Sequence, residues 1–165
     1  MSHGTVSDTH VELLDTVAPG DLNLYGTLFG GKLLSLIDKC AGFSAFKHAK
    51  TGVVTISIDQ VDFYLPVEQG ALLTIRSSVN RSFKSSMEVG VCVWMQNMKK
   101  GIVEPVRICR AYTTFVALDE NGEKVVLPQI IPETPEEISR WNAAALRRQR
   151  RIELREQLDR ARSNC

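Results

Sequence analysis

The chain has 165 residues, 44% hydrophobic and 24% charged, a composition that suits one globular domain with a sizeable core. A formal net charge of +1 gives no bulk electrostatic case for nucleic acid or an acidic membrane surface. The four cysteines, Cys40, Cys92, Cys109 and Cys165, form no CxxC pair and no cluster with histidine, so a zinc site is unsupported and reduced thiols are expected.

The N-terminal "MSHGTVSDTHVELLDTVAPG" lacks the basic start and apolar run of a signal peptide, and nowhere do about 18 apolar residues follow one another. No membrane span and a cytoplasmic location are expected. Within it "HVELLDTV" reads as a short strand, and "APGD" starts a loop that reaches Phe29.

In "LYGTLFGGKLL", Gly26, Gly31 and Lys32 fit all but the last position of a phosphate-binding P-loop, but Leu33 stands where Ser or Thr must hold magnesium. The preceding "DLNLYG" is too polar and short for the buried strand that aims such a loop. What remains is a glycine pair at a helix start, either turning free N–H groups and the positive dipole end toward a ligand oxygen or permitting a tight, closely packed entry turn.

The run 30–47, "GGKLLSLIDKCAGFSAFK", is apolar or small almost all round and reads as a central helix buried on most sides. Asp38 shares a stripe there with Leu34, Ala41 and Ala45, and burial without a partner is costly; it is a functional carboxylate or one half of an ion pair with a lysine. Asn23, in the loop feeding this helix, can donate to a polarised carbonyl or position a water, or serve ordinary turn chemistry. The small residues of "CAGFSA" leave room for an apolar ligand or allow another element to approach.

Strand-like runs follow from Gly52 ("GVVTISIDQVDFYL"), Ala71 ("ALLTIRSSVNRSF") and Ser86 ("SMEVGVCVWMQNM"), and a fourth covers 106–118, ending at the turn "DENG". One helix and then consecutive antiparallel strands give an α+β architecture, which contradicts the topology a P-loop requires. Thr55 and Ser57 are expected on one strand face, as site hydroxyls or as half of a polar surface. "RSFKSS" groups two cations and three hydroxyls, a workable phosphate binder or a normal polar hairpin turn.

Pro128 and Pro132 mark a linker, and "TPEE" opens a last helix with Thr134 as N-cap, Pro135 in the first turn and Glu137 closing a capping box. Its arginine-rich end, "RRQRRIELREQLDRAR", is a surface helix docked on one side or a partner-binding arm, with Leu154, Leu158 and Ala161 forming a narrow apolar stripe. His3, His10 and His48 are scattered, and no internal repeat is present. The division expected is 1–127 as the folded domain and 128–165 as linker and helix.

The segment "DLNLYGTLFGGKLLSLIDKCAG", with Asp38 seven residues after the second glycine, resembles the acyl-CoA thioesterases of the hot-dog fold, in their cytosolic acyl-CoA hydrolase branch. "VTISIDQVDFYLPVEQG" and "RSFKSSMEVGV" are similar to further signature stretches of that family, and the likeness covers roughly residues 12–118. It implies a single hot-dog domain, a curved antiparallel sheet wrapped around a long central helix, with an acyl-CoA substrate and no cofactor or metal, CoA being part of substrate and product. It also implies dimers sharing one continuous sheet and composite sites, grouped as a trimer of dimers.

By the same resemblance Asp38 activates water or attacks directly, Asn23 of the opposite subunit orients the water or carbonyl, and Thr55 assists Asp38. Gly30 and Gly31 bring the helix N-terminus to the thioester oxygen, while Lys84, Ser85 and Ser86 contact CoA. Many relatives place a histidine just before the glycine pair; Phe29 stands here and is expected to line the acyl channel. Three rivals remain: a hot-dog protein that binds acyl-CoA or a nucleotide without turnover, an RNA-binding or scaffold role of the arginine-rich helix, and a dehydratase, which relies on a histidine where only the distant His48 is on offer.

Overall fold

A computed structural model describes residues 3–163. In chain order its elements are β1 (Gly4–Thr5), β2 (Val11–Thr16), α1 (Gly30–Ala49), β3 (Gly52–Phe63), β4 (Leu72–Ser82), β5 (Ser86–Asn97), β6 (Ile102–Leu118), β7 (Ile130–Ile131) and α2 (Pro135–Ser163). One antiparallel sheet runs β2-β4-β5-β6-β3, and α1 lies along one of its faces, the α+β hot-dog arrangement. Alternation along β5 makes the two faces distinct: Met87, Val89, Val91 and Val93 are buried toward α1, whereas Glu88 points to the opposite side.

The small residues of α1 serve close packing. Ala41, Ser44 and Ala45 are fully buried, and the Ser44 hydroxyl meets the Ser77 hydroxyl of β4 at 2.7 Å. Ser77 in turn lies 2.9 Å from the Cys40 carbonyl, to which its hydroxyl donates, so the buried polar atoms at this contact satisfy one another. The helix stops at Lys50, whose φ of 53° is left-handed and whose N–H closes on the Phe46 carbonyl at 2.8 Å.

Strand β6 starts at Ile102, earlier than the expected Val106. Pro105 argues locally against a strand, yet it falls where the ladder skips: Met95 pairs with Val106 and Asn97 with Ile102, and this irregularity accommodates a residue that has no N–H to give. A turn ending at Gly101, with φ 70°, lets pairing resume at once.

The segment carrying Pro128 and Pro132 also holds β7, which pairs in parallel with β1 near the N-terminus. His48 at the end of α1 donates from its Nε2–H to the Pro128 carbonyl at 3.0 Å, tying helix, linker and N-terminus together. The expected capping box follows: Glu137 accepts from the Thr134 N–H at 3.1 Å, and the Thr134 hydroxyl accepts from the Glu137 N–H at 3.2 Å.

Helix α2 is poor in apolar residues and docks through its arginines on the sheet face away from α1. Trp141 stacks on Arg81 of β4, with the guanidinium carbon 3.3 Å from the ring centre. Arg147 donates twice to Glu88 of β5, at 2.9 and 2.7 Å, while lying 3.6 Å from the Tyr112 ring centre of β6. Glu88 is 2% exposed and also accepts from Asn80 at 2.9 Å. Arg151 pairs with Asp59 of β3.

Arg147→Ala strands the Glu88 carboxylate in the interior, so stability falls by about 3 kcal/mol, and Glu88→Gln added to it recovers part of the loss. Thermal denaturation of the single and double variants checks this. His48 supplies a pH dependence: burial pushes its pKa below the ordinary value of 6.5, against the smaller opposing effect of its bond to the Pro128 carbonyl. The unfolded imidazole therefore protonates first, and stability present above pH 6.5 is lost as pH falls below it toward the depressed folded value. Urea midpoints at about pH 7.5 and 5.5 show a drop that His48→Gln makes shallower.

Candidate active site

Asp38 occupies the third turn of α1, and the Thr55 hydroxyl of β3 donates to its Oδ1 at 2.7 Å. Thr55 reaches the helix because it pairs with Phe115, and Phe115 lies on the α1 side of the sheet, its ring facing Gly42. No ion pair to Asp38 occurs among the described residues, so the lysine alternative for this carboxylate falls away.

Ser57 does not share that face, contrary to the alternation expected from sequence. Ladder pairing passes from Thr55–Phe115 to Ser57–Thr114, so Ile56 is an extra residue in a bulge and turns Ser57 to the α2 side. There its hydroxyl bonds Asp59, next to the Thr114 hydroxyl.

At the start of α1 the Phe29 carbonyl accepts from the Lys32 and Leu33 N–H groups at 3.0 and 3.3 Å. The N–H groups of Gly30 and Gly31 meet no acceptor among the described residues and open an electropositive helix end. The Phe29 ring folds over Gly31, so an added Cβ would lie 3.0 Å from that ring's Cζ and push the ring aside. Lys32, the P-loop-like lysine, bridges Asp21 at 3.2 Å and Asp15 at 3.9 Å and so pins the entry loop.

Asn23 organises that loop: its Oδ1 accepts from the Tyr25 and Thr27 N–H groups at 2.9 and 3.2 Å, and its Nδ2 donates to the Thr27 hydroxyl at 2.9 Å. One amide hydrogen stays available, and Asn23 and Phe29 line the same cavity of about 540 Å³. A second cleft of about 280 Å³ joins Leu28 and Leu33 to Phe63, Tyr64 and Leu65. Phe63 and Leu65 carry no site signal in the sequence, where "DFYLP" reads only as the end of a strand.

Lys84 and Ser85 lie in the β4–β5 turn and Ser86 opens β5; the turn is held by the Ala117 N–H on the Ser85 carbonyl at 3.0 Å and the Leu127 N–H on the Lys84 carbonyl at 2.9 Å. Ser86 pairs with Val116, one step from the row Met87–Phe115–Thr55. This turn therefore sits at the Thr55 end of the sheet, whereas Gly30 lies beside Phe63 at the other end. Within one protomer the fold brings Asp38 to Thr55 and leaves Asn23, Phe29, Gly30 and Gly31 apart; seven helical residues separate Gly31 from Asp38 by about 10 Å.

Burial pushes the Cys109 thiol up to about 11 and raises that of Cys40, so neither supplies a thiolate near neutral pH; Cys165 lies outside the described residues. Among the described residues no His/Cys/Asp/Glu group could hold a metal ion, and no helix is long and apolar enough to cross a membrane. Among the described residues the outer edge of β3 has no strand partner, and Val54, Ile56 and Phe63 are 44%, 52% and 53% exposed along it.

A family model of the thioesterase superfamily matches residues 25–102. The uncharacterized acyl-CoA thioester hydrolase YkhA of Bacillus subtilis is 44% identical over 131 residues, covering 79% of this chain and 75% of that protein. Against the mammalian cytosolic acyl coenzyme A thioester hydrolases, 33% identical, the chain spans 36% of their length. The acyl-CoA hydrolase of Staphylococcus aureus, solved in complex with butyryl coenzyme A, coenzyme A and coenzyme A disulfide, superposes with a TM-score of 0.89 at 32% identity, over 99% of this chain and 98% of that one. Asp-to-Ala, Asn-to-Ala and Thr-to-Ala variants of that enzyme have also been solved. A hexameric acyl-CoA thioesterase gives a TM-score of 0.87 at 35% identity, over 93% and 97% of the two chains.

The stacked Phe29 makes the Gly31 position testable. Because Phe29 is 57% exposed, its ring swings away in Gly31→Ala at a cost below about 1 kcal/mol, and Phe29→Ala in the same chain removes that cost. A double-mutant cycle of urea midpoints measures the coupling.

Proposed function

The chain belongs to the thioesterase superfamily, and from that premise we propose that it hydrolyses acyl-CoA to a free acid and CoA. The observation that carries this reading is the Asp38–Thr55 hydrogen bond on a helix whose own N-terminus offers free N–H donors. Support comes from the S. aureus acyl-CoA hydrolase, in which an aspartate, an asparagine and a threonine, the residue types of Asp38, Asn23 and Thr55, were each replaced by alanine.

Thr55 binds Oδ1 of Asp38 and fixes the carboxylate, leaving Oδ2 to take a proton from water. The hydroxide adds to the thioester carbonyl, and the N–H groups of Gly30 and Gly31, with the Asn23 amide, receive the oxyanion. Collapse expels the CoA thiolate, which takes up the proton. A thiolate is a good leaving group, so the step needs neither a metal nor a cofactor.

The reacting carbon must lie within about 3 Å of both the base and the oxyanion donors. About 10 Å of helix separates Gly31 from Asp38 in one protomer, so the donors come from a second copy. Antiparallel pairing of two β3 edges reverses the partner end for end and carries its helix N-terminus and Asn23 toward this chain's Asp38. Lys84, Ser85 and Ser86 then contribute the CoA contact from the Asp38 side, and Phe29 borders the acyl channel. Grouping into a trimer of dimers is the further assembly proposed, in line with the hexameric thioesterase.

Asp38→Ala and Asn23→Ala each reduce turnover at least 100-fold, the scale of one acid–base or oxyanion group, with oligomer size unchanged. Mixing the two variants restores part of the rate, because one of the two interfaces then carries both residues intact. The assay is CoA thiol release from a short-to-long acyl-CoA panel. Wild-type rates in either variant sink the mechanism, and no turnover by the wild type on any chain length leaves an acyl-CoA-binding protein. A single turnover in 18O-water separates base from nucleophile: label enters only the released acid in the first case and Asp38 itself in the second.

A further inference from the structure

Helix α2 crosses the sheet from β4 to β3, touching each of the four strands in turn. Arg81, Glu88, Thr114 and Ser57 pair in one row across β4, β5, β6 and β3. The helix follows that row, with Trp141 on Arg81, Arg147 on Glu88 and Tyr112, and Arg151 on Asp59 beside Thr114. Ten residues of helix rise about 15 Å, and three strand spacings are about 14 Å, so Arg151 stands over the last strand of the sheet.

Beyond that strand the helix continues. Residues 152–163 extend about 18 Å past the edge of β3, and Ile152, Leu154 and Leu158 remain 42%, 56% and 51% exposed on them. A helix overhanging its own sheet has no reason to keep leucines there in the free protomer. The edge it overhangs is the unpaired β3 edge with its exposed Val54 and Ile56.

The geometry points to an intersubunit clasp: residues 152–163 of α2 reach over a second copy's sheet, on the face away from α1, and run antiparallel beside that copy's α2. This rests on the reading that two β3 edges pair, because the partner's sheet then continues directly beneath the overhang. Both helices cross the seam close to the two-fold axis, so each is the other's nearest neighbour and Leu154 and Leu158 are buried between them. Stable pairs bury about 800 Å² per partner, and a clasp from each side adds to what two strand edges supply.

The test uses the full-length chain in three forms: wild type, Ile56→Lys, which puts a charge on the β3 edge, and Leu154→Glu with Leu158→Glu. Sedimentation over a dilution series gives the dissociation midpoint, and hydrogen exchange reports on amides 152–163. The expected result is slow exchange of 152–163 in the assembled wild type, loss of assembly and of that protection in Ile56→Lys, and a midpoint raised at least tenfold in the leucine variant with circular dichroism unchanged. If Ile56→Lys dissociates the protein but 152–163 exchange fast in the wild type, or the leucine variant keeps the wild-type midpoint, the clasp is wrong and the seam stands. If Ile56→Lys leaves assembly intact, the seam reading falls and the clasp with it. Protection found only in species larger than a pair also overturns the clasp, since the occupant is then a neighbouring pair.

Discussion

The close seating of α1 on the sheet governs the rest of the molecule. Ala41, Ser44 and Ala45 remove side-chain bulk where the helix meets β4, and the Ser44–Ser77 bond at 2.7 Å fixes the approach. With that line fixed, Asp38 emerges toward β3 and can reach Thr55, while the helix start is held beside Phe63. One rigid rod therefore sets both the position of the carboxylate and its separation from the N–H donors. A helix is stiff, so no side-chain adjustment closes a gap of about 10 Å, and the second copy in the proposed mechanism is called for by the rod rather than by any surface feature.

Much of this was legible in the sequence because the signals are local. The apolar, small-residue run after the glycine pair gave the helix, alternation of valines gave β5, and Thr134 with Glu137 gave the start of α2 as observed. Legibility ended where a pairing irregularity intervened. Ile56 bulges out of β3 and reverses Ser57, which strict alternation places on the wrong face, and Pro105 sits at an irregularity that a residue-by-residue reading takes for a boundary, so that the strand is expected to start only at Val106. Long-range pairings were likewise hidden. Nothing near Ile130 marks it as the partner of Gly4, and the arginines of α2 do not announce Glu88 and Asp59 as their seats.

The candidate site divides along the same line. The entry-loop role of Asn23 rests on bonds to Tyr25 and Thr27 a few places away, and turn chemistry suggests it, whereas the pairing of Lys32 with Asp21 and Asp15 is not visible in its P-loop-like spacing. The partnership of Asp38 with Thr55 spans helix and strand and entered only through the resemblance. The cleft wall at Phe63, Tyr64 and Leu65 depends on where β3 ends against the helix start, which no spacing rule reveals.

The seating of α2 shows how a helix with few apolar residues can still be placed uniquely. A buried carboxylate such as Glu88 is costly to desolvate, and its pairing with Arg147 offsets that cost without guaranteeing a net gain. What the pair adds is register. Slipping the helix by one residue withdraws the guanidinium from a group that is 2% exposed, and the penalty for stranding that charge far exceeds that of shifting an apolar contact by the same distance. Trp141 on Arg81 and Arg151 on Asp59 repeat the constraint at either end. Three polar anchors in one row thus hold α2 to a single line across the sheet, and that line carries it over the open edge of β3.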